Sequence, residues 1–132
     1  MRLIGFAALA AFACAGIGIA SPAHAEAFSG TYLRTGPGES STWVVTSCGA
    51  GCAHVVDSDG WSADAHPFGG VWTLTVDLPK ATVCNNDGLA PGTLMYKVHP
   101  ERQEGTVFNV NPAPCPLAPG YSNEVYFTLT RA

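Results

Sequence analysis

The chain has 132 residues, ten acidic and six basic side chains, a net charge of −4 and a charged content of only 12%. No stretch concentrates Lys or Arg, which argues against nucleic acid and anionic membrane surfaces as partners. A chain of this length supports one domain, with a core that buries roughly 65% of the unfolded surface.

The first segment, "MRLIGFAALAAFACAGIGIASPAHAEAF", reads as a leader. Arg2 precedes an uncharged apolar run from Leu3 to Ala20, Pro22 breaks any helix, and Ala23-His24-Ala25 offers the small residues that signal peptidase accepts. Cleavage after Ala25 leaves residues 26–132 as a single exported domain; retention of the leader as an anchor is the alternative. Cys14 goes with the discarded peptide. The remainder carries ten acidic residues and, without Arg2, five basic ones.

From there the chain predicts strands separated by turns, with no helix. "FSGTYLRT" (28–35) is β-branched and aromatic, and "GPGESS" turns it back. "STWVVTS" (41–47) and "AHVVDS" (53–58) flank a short cysteine-bearing loop. "WSADAH" (61–66) follows the hairpin signal Asp59-Gly60. "VWTLTV" (71–76) alternates, with Trp72, Leu74 and Val76 on one face. "KATVC" (80–84) leads into the turn "NNDG". "TLMYKVH" (93–99) places Leu94, Tyr96 and Val98 inward. "GTVFNV" (105–110) and "EVYFTLT" (124–130) complete the set, the latter with Val125, Phe127 and Leu129 on one face. About eight or nine short strands at steady spacing predict an all-β fold, a small antiparallel sandwich or meander barrel.

Four cysteines remain after the leader: Cys48, Cys52, Cys84 and Cys115. An even number in a small exported domain reads as a disulfide framework. Cys48 and Cys52 face each other across Gly49-Ala50-Gly51, read as a three-residue hairpin loop. Cross-strand Cα atoms there stand about 4.5–5.5 Å apart, a separation that suits a disulfide. A redox pair would want CxxC at a helix N-terminus, and zinc would need a second short cysteine pair; neither is present. Cys84–Cys115 is then the remaining bridge, although four cysteines also permit two crossed pairings.

The succession Trp43, Cys48-Gly-x-Gly-Cys52-Ala-x-Val55, Gly60-Trp61, Trp72, Cys84 with Asp87-Gly88, Tyr96, Cys115 and the closing "FTLTR" resembles small exported proteins of mycobacteria and related actinobacteria. The resemblance spans most of the chain after the leader. It implies an exported β-rich domain and, because that family has no established activity, supplies no catalytic residue.

Catalytic and metal chemistry find little support. His54, His66 and His99 show no HxH or HxxxH spacing, and a histidine site would need two of them, or one with a carboxylate, on one face. "DSDGWSAD" (57–64) lacks the further ligands of a calcium loop, and no GxSxG occurs. We therefore expect no metal, no cofactor and no enzymatic activity; a small hydrolase using surface carboxylates or histidine is the least favoured reading. Two leads remain. Pro112, Pro114, Pro116 and Pro119 in "NPAPCPLAPG" stiffen a segment that cannot be a central strand, suited to binding another extracellular or cell-envelope protein. Trp43, Trp61 and Trp72, on three successive predicted strands, either fill the core or line a cavity for a small apolar ligand. The sequence thus predicts a monomeric, disulfide-stabilised binding module acting through the Pro-rich loop, with an apolar-ligand carrier as the alternative.

Overall fold

Closure, rather than the stacking of two sheets, is how the alternating strands hide their edges. In a computed structural model, which describes residues 28–86, 88–119 and 124–132, eight antiparallel strands form one closed up-and-down barrel. The leader reading, Cys14, Asp87 and Gly120 lie outside the described residues. The strands are β1 (Gly30–Gly36), β2 (Glu39–Gly49), β3 (Cys52–Asp57), β4 (Ser62–Phe68), β5 (Val71–Val83), β6 (Leu89–His99), β7 (Glu104–Asn109) and β8 (Glu124–Arg131), with a 3₁₀ turn at Pro100–Arg102. Each strand pairs with its neighbour in sequence, and β8 returns to β1 through Tyr32↔Arg131, Leu33↔Thr130, Arg34↔Leu129 and Thr35↔Thr128. That last pairing removes the only two free edges, which an open sheet would have to protect.

Segments 71–76 and 80–84, read as separate strands, are one. Thirteen residues run as β5, and the ladder with β6 slips between Leu78 and Thr82. Pro79 lies in that gap, where its missing N–H removes no ladder bond, so a bulge absorbs it without ending the strand.

Alternation sends one face of every strand inward. Tyr32, Trp43, Val45, Val55, Trp72, Leu74, Tyr96, Val98, Phe127 and Leu129 are all buried in one cluster. Cross-strand partners agree with this: Leu74 faces Tyr96, Trp72 faces Val98, and Val45 faces Val55. At Gly105 the interior is so tight that an added Cβ would stand 2.5 Å from the Lys97 carbonyl and from the Phe127 ring. Glycine there lets the aromatic ring approach the backbone closely.

The cysteine loop is tighter than its reading. Gly49 still pairs with Cys52, so the turn is Ala50-Gly51 and Cys48 falls in a bulge rather than directly opposite its partner. Gly49 (φ 124°) and Gly51 (φ 67°) both take backbone angles that side chains disfavour. The bulge brings the cysteine Cα atoms to 5.0 Å, and they are bridged; Cys84–Cys115 is the second disulfide.

Candidate functional site

The two ends of the barrel are finished differently. One end carries the β2–β3 clasp, the Gly69-Gly70 turn and the 3₁₀ turn. Phe28 plugs it, buried with its ring centroid 5.5 Å from Trp72 and 6.0 Å from Tyr32. Arg131 covers the same end, lying 4.9 Å over the Tyr32 ring and donating from Nη1 to the Ser29 carbonyl at 3.0 Å.

The other end, where β1–β2, β3–β4, β5–β6 and β7–β8 connect, holds a cavity of about 640 Å³. Its apolar wall is Trp61, Leu78, Leu94, Val107 and Val125, and Tyr96 belongs to its inner surface. Below lies an aromatic cluster. The Trp43 ring stands 5.4 Å from Tyr96, 5.6 Å from Phe127 and 6.0 Å from Trp61, all near edge-to-face, and Trp61 lies 5.4 Å from Tyr96. Such contacts contribute roughly 0.5–1.5 kcal/mol each beyond area burial, and they make the floor stiff.

Beside the floor runs a polar chain that the sequence reading missed. Asp57 is 2% exposed; its Oδ2 accepts from Trp43 Nε1 at 2.7 Å and from Ser41 Oγ at 3.0 Å, and its Oδ1 from the Asp59 amide at 2.6 Å. Arg34, 3% exposed, donates from Nε to Ser41 Oγ at 3.1 Å and from Nη2 to Glu39 Oε1 at 3.2 Å. Its guanidinium also lies 5.7 Å from the Phe127 ring centroid. A buried carboxylate survives only when its lone pairs and charge are both answered, and here indole, hydroxyl, amide and guanidinium answer them. The signal was available: Arg34 follows Tyr32 by two and Asp57 follows Val55 by two, so both charges sit in inward register.

Burial pushes the Tyr96 phenol up from 10.0 to about 12, with Arg34 pulling the other way and Asp57, Glu39 and Asp59 adding to the rise. A folded-state value raised above the unfolded one means stability present below pH 10 and lost as pH climbs toward 12. The urea midpoint is expected to fall across that window, and by less in Tyr96→Phe. An equal fall in both proteins would locate the alkaline sensitivity elsewhere.

The tryptophan reading divides. Trp61 lines the cavity, but it lies in the turn just before β4 rather than on a strand. Trp43, fully buried on β2, supports the floor, and Trp72 on β5 packs at the plugged end. Neither belongs to the cavity lining, because their registers place them deeper in the barrel.

The Pro-rich segment is tied along its length to the far half of β5. Thr82, fully buried, donates from Oγ1 to the Pro91 carbonyl at 2.7 Å and accepts from Asn109 Nδ2 and the Ala113 amide. The Asn85 amide donates to the Pro116 carbonyl, the Ala118 amide to that of Val83, and Cys84–Cys115 completes the attachment. Pro112, Pro114, Pro116 and Pro119 remain exposed. A groove of about 710 Å³ separates Pro112 and Pro114 from Pro79 and Pro91.

His54, His66 and His99 lie on the outer wall. His54 Nδ1 is 2.6 Å from Asp64 Oδ1, both side chains being well exposed. That is one histidine with a carboxylate on one face, a pairing readable from the β3–β4 register, where the two residues are directly opposed. His66 Nδ1 lies 3.0 Å from the Gly51 carbonyl, and His99 Nδ1 accepts from Arg102 at 2.9 Å. Among the described residues, Cys48, Cys52 and Asp64 converge closely enough for a metal, but both sulfurs are already joined to each other. No described helix is long and apolar enough to cross a membrane. No protein-family model, curated protein or solved structure matches this chain.

Proposed function

We propose that the protein is an exported carrier that holds a small apolar molecule in the end of its barrel. The cavity carries this reading. Its volume, about 640 Å³, falls within the roughly 300–1,000 Å³ of small-molecule sites, and its lining combines an apolar wall with polar side chains, Arg34, Glu39, Asp59, Lys80, Tyr96 and Asn109. Eight-stranded barrels are wide enough for one such ligand when the interior is not filled to the rim. The leader and the two disulfides fit a compartment where thiols oxidise. In this reading the Pro-rich segment braces the cavity wall, since it is bonded to β5 beside Ala81 and Val83, which line the cavity.

Trp61 provides an internal reporter. Titration with an environment-sensitive apolar dye is expected to change tryptophan emission. The change should be largely lost in Trp61→Phe, with binding itself still detectable by dye fluorescence. Val125→Trp fills the cavity from a half-buried lining position and should weaken dye binding at least tenfold. Unchanged affinity in Val125→Trp would remove the cavity from the function.

A further inference from the structure

Two buried side chains that line the cavity carry donors for which the described residues supply no acceptor. Tyr96 is 4% exposed and lines the cavity, yet its hydroxyl has no hydrogen-bond partner among the described residues. Buried tyrosine hydroxyls as a rule find one. Arg34 spends Nε on Ser41 and Nη2 on Glu39, which leaves Nη1 without an acceptor there as well. A phenol that keeps its proton to about pH 12 and a guanidinium are both donors throughout the neutral range. A ligand that brings an accepting oxygen would satisfy both.

The charge balance narrows the choice. Arg34 and Lys80 line the cavity together with Glu39 and Asp59, and Asp57 stands buried behind Arg34. The lining has no surplus cation, and Arg34 already serves Asp57 through Ser41 and Glu39 directly. An incoming carboxylate would add another anion around a guanidinium already shared between two, in a partly desolvated place where like charges repel strongly. A carbonyl oxygen takes the same hydrogen bonds without that penalty.

Resting on the carrier reading, we infer that the cavity selects a neutral apolar ligand bearing a carbonyl or ester oxygen, which accepts from the Tyr96 hydroxyl and the Arg34 guanidinium while its hydrocarbon part lies against Trp61, Leu94, Val107 and Val125. Discrimination comes from donors that are left unpaired when a ligand lacks the oxygen.

The test uses the disulfide-bonded protein and three probes: decane, methyl decanoate and decanoate. At neutral pH methyl decanoate is expected to bind about tenfold or more tightly than decanoate. Tyr96→Phe should weaken the ester about tenfold, as the loss of one buried hydrogen bond implies, and change decane by less than about twofold. The infrared carbonyl band of the bound ester should shift to lower frequency than in hexane, a readout that needs no variant. Decanoate binding as tightly as the ester would overturn the neutrality of the ligand. Equal losses for ester and decane in Tyr96→Phe, or an unshifted carbonyl band, would overturn the hydrogen bond and leave the carrier reading standing. Failure of all three probes to bind would sink the carrier reading itself.

Discussion

Asp57→Ala is expected to lower stability by about 3–5 kcal/mol, the usual consequence of removing one partner from a buried ionic cluster. The loss is large because three donors depend on that carboxylate. Trp43 Nε1, Ser41 Oγ and the Asp59 amide all donate to it, and Arg34, itself 3% exposed, would keep a buried positive charge with only the half-exposed Glu39 to meet it. Asp57→Asn should lose less, since an amide oxygen still accepts from the indole. A double variant, Arg34→Met with Asp57→Leu, should recover part of the loss, because apolar replacements remove both charges together. Urea unfolding of the four proteins checks this. A loss under about 1 kcal/mol for Asp57→Ala would mean that water reaches the site and that the chain of polar groups is not sealed.

The second expectation separates the two disulfides. Replacing Cys84 and Cys115 by serine should destabilise by about 4 kcal/mol, and the same change at Cys48 and Cys52 by about 2 kcal/mol, on chain entropy alone. The bridges close loops of very different length, with sequence separations of 31 and 4. Structure adds to the difference in the same direction. Cys84 is buried and paired with Leu117, and its bridge holds the Pro-rich segment against β5 beside the cavity. Cys48 is exposed in a hairpin that the β2–β3 ladder already fixes. Paired serine variants avoid stray thiols, and their urea midpoints decide the matter. Equal midpoints would show that the long bridge joins elements already held by other contacts. Ligand binding should also suffer more from the loss of the long bridge, since the wall it braces contributes Ala81 and Val83 to the cavity.

Local patterns carried the strand faces. Trp72, Leu74 and Val76, then Leu94, Tyr96 and Val98, then Val125, Phe127 and Leu129, each share a face by simple alternation, and each set points inward. The cysteine pairing was legible for the same reason, since a clasp across a short loop depends only on neighbours. Where a local rule had an exception the reading slipped: 71–76 and 80–84 read as two strands, and they are one, with Pro79 in a bulge within β5.

The chain's own residues therefore determined an all-β fold, its inward faces and the Cys48–Cys52 staple, with Cys84–Cys115 following as the remaining pair. Tertiary structure decided that the sheet closes, because Leu33 must find Thr130 across nearly the whole sequence and no short-range signal encodes that meeting. It also decided that Arg34, Asp57 and Tyr96, on three different strands, gather at one end, and that the side chains contributed there leave space unfilled. Whether a barrel is solid or hollow depends on the summed volume of residues from every strand at one level, a quantity that exists only after the register of all eight is set.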